Sequence, residues 1–117
     1  MTEKKKASGV KMKLLIAVVQ AQDAEAAEEA LLEKEFKVTR LPSTGGFLGR
    51  RNVTLLIGIN ADLQEVAMSV LKRICRERTE YIAVPLESAP LPIPTPTPIT
   101  IGGATVFVID VEQFEEV

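Results

Sequence analysis

The chain has no histidine, which removes the side chain that most often exchanges protons near neutral pH. A single cysteine, Cys75, excludes an intrachain disulfide and any zinc site built from several thiolates. Cys75 falls at an apolar helical position and reads as a buried structural thiol rather than a nucleophile. No arrangement of carboxylates or lysines stands out as catalytic machinery. No catalytic residue, metal site or cofactor is therefore assigned, and the expectation is that the protein is not an enzyme. No apolar run approaches the roughly 18–20 residues of a membrane span. Residues 1–13 carry lysines but no apolar stretch before Leu14, so they do not read as a signal peptide. A cytoplasmic protein without membrane contacts is expected. The net charge of −2 argues against general nucleic-acid binding, which needs a broad basic face.

What is present suits one ordinary domain. Of the 117 residues 46% are apolar and 26% charged, enough for a core and too apolar for disorder. Residues 1–11 are polar and lysine-rich, with a break at Ser8-Gly9, and read as a flexible N-terminal extension. The domain is assigned to residues 12–117.

Lys13–Gln20 is a short, nearly continuous apolar run and reads as a strand buried on both faces. Asp23 is placed to cap the helix that follows, in which Ala24, Ala27 and Leu31 keep helical spacing until about Glu35. Phe36–Leu41 alternates, with Phe36 and Val38 on one face and Lys37, Thr39 and Leu41 on the other. Pro42 to Gly46 is expected to end that strand as a loop. Asn52–Ile59 is a third strand, apolar on both faces. Asn60 or Asp62 opens a second helix, Asp62 and Glu65 having capping-box spacing. Its buried stripe is Leu63, Val66, Ala67, Val70, Leu71, Ile74 and Cys75.

Tyr81–Leu86 is a short strand-like piece. Prolines at 90, 92, 94, 96 and 98 then exclude a helix or a central strand, which leaves an extended, stiff surface segment. Gly102-Gly103 turns the chain into a last strand, Ala104–Ile109, and Val111–Phe114 reads as a short helical turn.

The order β-α-β-β-α-β describes an α+β, ferredoxin-like sandwich with two helices on one face of an antiparallel sheet. Three of its strands are apolar on both faces, so a lone subunit would leave an apolar surface wet. Association through that bare face is the simplest remedy. The number of subunits does not follow from this.

The opening KLLIAVVQAQD, the segment Thr39 to Leu48 (TRLPSTGGFL), Asn52 and the late GGATVFV from Gly102 occur in order. Together they resemble the cyclic-di-AMP receptor family of PII-like signal-transduction proteins over nearly all of residues 12–114. The resemblance implies a PII-like homotrimer. It also implies one cyclic di-AMP in each inter-subunit cleft and loops that change order on binding, for a protein target the sequence does not name. The positions it marks are Lys37, Thr39, Gly45, Gly46, Phe47, Leu48, Asn52 and Gly58.

The chemistry of these residues suits the ligand. Gly45-Gly46 can turn backbone N–H groups toward a phosphate, and Phe47 offers a stacking face for adenine. Asn52 has the donor–acceptor pair that reads adenine, and Thr39 supplies a hydroxyl. Gly58 lets a base edge approach the strand. Two positions depart from the family: Lys37 stands where arginine is expected, and Glu116 where glutamine is expected. A carboxylate beside a phosphate repels it. Alternatives on the same fold are a trimer sensing another adenine nucleotide or anion, and a purely structural trimer. An RNA-recognition module shares the element order but needs aromatics on the central strands, which 14–19 and 53–59 lack. A small ferredoxin-like phosphatase needs an arginine in a glycine-rich loop at a helix start, and neither helix has one.

Overall fold

The computed structural model describes residues 11–47, 50–85 and 94–117. Most of the expected extension, 1–10, lies outside them, as do Leu48, Pro90 and Pro92. The order is β1 (Met12–Gln20), α1 (Ala21–Glu33), β2 (Lys37–Phe47), β3 (Arg50–Asn60), a single 3-10 turn (Ala61–Leu63), α2 (Gln64–Ile74), β4 (Arg78–Pro85), β5 (Pro94–Ile101) and β6 (Ala104–Val111). Strands β2-β3-β1-β6 form one antiparallel sheet, and β4-β5 form a separate two-stranded one. The expected ferredoxin-like sandwich is therefore present, with a hairpin inserted between α2 and the last sheet strand.

The period-two pattern decides which face each strand residue occupies. Leu15, Ala17 and Val19 of β1, with Val53, Leu55, Ile57 and Ile59 of β3, are buried under the helices. Ala24, Ala27 and Leu31 of α1 and Ala67, Val70 and Leu71 of α2 meet them, and Phe36 closes one end. Burying each large aliphatic side chain here contributes roughly 1.5–3 kcal/mol. Leu63 and Val66, expected in the buried stripe of α2, are instead exposed. The first belongs to the 3-10 turn, which rotates it off the helix's apolar face.

The alternate residues of the same strands make the second face, which none of the described elements covers. Leu14, Ile16 and Val18 of β1 pair across to Ile109, Phe107 and Thr105 of β6. Phe107 is 55% and Ile109 45% exposed. This open face is the bare apolar surface expected from the doubly apolar strands.

Four local expectations change. Asp23 does not cap α1: Gln20 is the N-cap residue, without a side-chain hydrogen bond, and Asp23 lies one turn in, buried against Arg78. The Asp62–Glu65 capping box is absent as well, since the 3-10 turn separates Asp62 from α2. Pro42 does not end β2; the ladder shifts register between Pro42 and Gly46 and resumes with Gly46 opposite Arg51 and Phe47 opposite Arg50. A proline is tolerated there because β2 is an edge strand and a register shift needs no donor. Val111 ends β6 as strand, not as a helical turn.

The described part of the proline run, from Pro94 on, is a strand too, at an edge. Pro94, Pro96 and Pro98 lie opposite Pro85, Ala83 and Tyr81. Prolines at every second position put all their missing donors on one side, so the residues between them can keep the ladder to β4.

α1 ends with Phe36 N–H donating to Leu31 and Glu35 N–H to Leu32, a Schellman closure. Glu35 occupies its left-handed position at φ 67°, where a side chain costs about 1 kcal/mol. Glu35→Gly is expected to stabilise the protein by up to about 1 kcal/mol in denaturant unfolding; an unchanged or lower midpoint would contradict this account of the cap.

Candidate functional site

The strand register sorts the sequence-marked residues. On β2, Lys37, Thr39 and Leu41 lie opposite Gly58, Leu56 and Thr54 of β3. Asn52, further along the same face of β3, lies opposite Gln20. Lys37, Thr39, Asn52 and Gly58 are therefore all on the open face, as the alternation of residues 36–41 predicts for Thr39. They do not converge on one point. Asn52 and Gly58 are six residues apart on one strand, about 20 Å, too far for one base or one phosphate to touch both.

Gly46 and Phe47 sit on the paired distal part of β2 rather than in a loop, and Gly45 falls within the register shift. The expected phosphate-cupping loop is thus a strand with an irregularity, while Leu48 lies outside the described residues.

Gly58 needs an explanation that the fold does not supply. It lies in β3, between β2 and β1, where glycine costs roughly 0.5–1 kcal/mol relative to alanine. A Cβ built on it would meet nothing within 4 Å, and its backbone is not in the left-handed region. The space above it, beside Lys37, is open.

The two departures noted in the sequence meet in space. Lys37 Nζ donates to Glu116 Oε1 at 3.0 Å across 79 residues. Lys37 is 81% and Glu116 55% exposed, so the pair is solvated and modest in energy. Its consequence is local: the cation at this end of the face already has a counter-charge.

The Asn52 end is built differently. Gln20, opposite Asn52, accepts at Oε1 from the Gly102 N–H at 2.8 Å and from Gln22 Nε2 at 3.2 Å. A cavity of about 450 Å³ opens beside it, lined by Gln20, Ala21, Gln22, Arg51 and residues Ile99, Thr100 and Ile101 of β5. That volume is within the range of small-molecule pockets. Gln20 was not marked from the sequence, whereas Arg51, like Arg40 and Arg50, stands out there as a cation able to compensate for lysine at position 37. The one available signal was a polar residue closing an otherwise apolar strand.

The hairpin is fixed to this end by charge and shape. Arg78, the first residue of β4, grips Asp23 with both terminal nitrogens, at 2.8 and 3.4 Å, and also donates to the Arg76 carbonyl at 3.0 Å. The hydrogen bond to Asp23 raises the Arg78 pKa further above its already high ordinary value. Gly102 adopts φ 90°, and a Cβ there would be driven into the Arg76 carbonyl oxygen. At the other end of the sheet, Lys13 pairs with Asp110 across β1 and β6, which lowers the Asp110 pKa.

Cys75 is 2% exposed. Burial, aided by the Asp23 carboxylate and opposed by Arg78, pushes its thiol up to about 11. It stays protonated near neutral pH and reads as structural. Among the described residues no group of three or more His, Cys, Asp or Glu could hold a metal ion, and no helix is long and apolar enough to cross a membrane.

The model of the cyclic-di-AMP receptor family matches residues 12–117. The chain belongs to that family. A functionally unknown protein from Pediococcus pentosaceus, solved by crystallography, is 33% identical, covers 92% of this chain and 98% of its own, and has a TM-score of 0.75. The B. subtilis GlnK–ATP complex is 12% identical over 86% of this chain and 82% of its own (TM-score 0.55). Arabidopsis thaliana PII bound to citrate is 18% identical over 89% and 78% (TM-score 0.53). These last two bear on the fold alone, which is PII-like. Family and fold together are those of nucleotide-sensing signalling proteins and point away from an enzyme.

Iodoacetamide should label Cys75 slowly in the native protein and rapidly in denaturant. Fast native labelling, followed by mass spectrometry, would show that the thiol is neither buried nor held protonated.

Proposed function

We propose that this protein is a cyclic-di-AMP sensor that assembles as a homotrimer and binds one nucleotide in each cleft between subunits, along the open face of β2 and β3. No catalytic step is involved. The output is a change in the order of loops at the cleft, presented to a protein target.

The observation that carries this reading is Gly58. A glycine in an inner strand, with nothing among the described residues to exclude a side chain, is accounted for when something from outside lies against the strand. Lys37 and Thr39, directly across and one pair along, supply an ammonium and a hydroxyl to that same space. Asn52, about 20 Å away along β3, suits the Watson–Crick and Hoogsteen edge of an adenine. A ligand with two adenines and two phosphates spans what a single base cannot. Alternatively, the two ends serve two clefts of a trimer, each cleft combining one end from each neighbour. The uncovered apolar face, with Phe107 and Ile109 half exposed, supports association of copies. Gly45, Gly46 and Phe47 complete the reading as the distal β2 contribution, and Leu48, outside the described residues, follows them in sequence.

Calorimetric titration of the purified protein with cyclic di-AMP tests the ligand: no heat at protein concentrations of tens of micromolar or so sinks it. Asn52→Ala should weaken binding by about 1–3 kcal/mol, the worth of one bidentate base contact; unchanged affinity removes Asn52 from the site. Gly58→Ala should leave thermal stability unchanged or raised by up to about 1 kcal/mol, keep the oligomer on size exclusion, and weaken the nucleotide. Loss of the oligomer instead would assign the space to a subunit interface.

A further inference from the structure

Among the described residues that the register places on the open face, Lys37 is the sole ionisable one at the Gly58 end; Arg50, opposite Phe47, lies at the far end of β3, eight residues from Gly58. Those beside and across from Lys37 are Thr39, Leu41, Leu56 and Gly58. Positive charge at this end of the face therefore depends on one ammonium, and Glu116 is already 3.0 Å from it. The pair is close to neutral. An anion approaching Lys37 meets either a cation whose carboxylate partner stays nearby or a pair that must first separate.

We propose that Glu116 sets the charge selectivity of the site: it lets a singly charged phosphodiester share Lys37 and disfavours a polyphosphate chain. This rests on reading the face as a nucleotide site. The reasoning is Coulombic. A cyclic dinucleotide carries one charge on each phosphodiester, and the two are held apart by the ring. A nucleoside triphosphate concentrates several charges on contiguous phosphates. Beside an ion pair of no net charge, each additional negative charge on the ligand interacts with the carboxylate almost as strongly as with the ammonium, so the gain from Lys37 is cancelled. The first charge can be accommodated by a small rotation of an exposed side chain, at the modest cost of loosening a surface ion pair. Further charges meet no second cation at this end of the face among the described residues. The tail from Glu112 to Val117 follows β6 and reaches β2 through this contact, so the selecting group is brought in by the segment that ends the sheet.

The test compares cyclic di-AMP and ATP, without divalent cations and at low salt, on wild type, Glu116→Gln and Glu116→Asp. Glu116→Gln should tighten ATP by about tenfold and cyclic di-AMP by no more than about twofold. Glu116→Asp, which keeps the charge, should preserve the wild-type ratio, which a purely structural role for the side chain would not require. Equal gains for both ligands, a loss for ATP, or loss of the ratio in Glu116→Asp would overturn the proposal while leaving the cyclic-di-AMP reading intact. ATP binding gained by Glu116→Gln would support the filter even where cyclic di-AMP bound neither protein. No binding of either nucleotide to either protein would overturn both.

Discussion

A four-stranded sheet with both helices on one side has a second face that the described residues leave bare, and here the middle of that face is made of leucine, isoleucine, valine and phenylalanine. The constraint begins with β1, which pairs with both β3 and β6 and is apolar at almost every position. Its odd-numbered residues from Leu15 to Val19 are fully excluded from water by the helices, while Leu14, Ile16 and Val18 depend on whatever covers the other side. The polar side chains of that side include Lys37 and Thr39 beside Gly58 at one end, and Asn52 and Gln20 at the other, with Thr54 and Thr105 next to the latter. A second copy seated on the apolar middle would bring the polar ends of two copies near each other, which would tie the location of a ligand site to the way the sheet is covered.

The hairpin of β4 and β5 is held to the same framework at a single junction. Asp23, Arg78, Gln20 and Gly102 are far apart in sequence, yet each restrains another: Arg78 spans Asp23 and the end of α2, and Gln20 holds the backbone where β5 returns. Removing one partner of the Asp23–Arg78 pair would leave the other poorly solvated, which is worse than never having built the pair. Gly102 is required for a steric reason as well as for its positive φ, since the Arg76 carbonyl occupies the space a side chain would take. Because Gln20 also stands opposite Asn52, movement of the hairpin root and occupation of the Asn52 end of the face would be felt through one side chain.

The fold was largely legible because it follows from patterning. Continuous apolar strands, an alternating β2 and two helical stripes gave the element order, the face of Thr39 and the existence of a bare side. What could not be read was what depends on tertiary partners. Asp23 has the position and chemistry of a cap, but a buried carboxylate follows the cation that reaches it, and Arg78 arrives from 55 residues away. Pro42 and the proline run looked like breakers because local rules do not say which strands are edges; at an edge, a missing donor faces away from the ladder. The site was legible only as a set of positions. Alternation puts residues 37 and 39 on one face of β2, but only the pairing of β2 with β3 brings Gly58 to Lys37 and leaves Asn52 about 20 Å away, and nothing marked Gln20.

Lys37 and Glu116 show the same limit from the other side. Each alone reads as a loss: lysine lacks the flat fork of arginine, and a carboxylate repels phosphate. Taken separately, they argue for a weakened anion site. Their contact across 79 residues changes the sign of that argument. Two substitutions that meet do not add as independent losses; they exchange a site organised around a fixed, bidentate cation for one with little net charge. Such a site gives up attraction for any anion and gains discrimination among anions, because the residual field distinguishes ligands by how many charges they bring to one place. On the proposed reading, the open space over Gly58 would govern how closely a ligand approaches, and the Lys37–Glu116 pair how much charge it brings there.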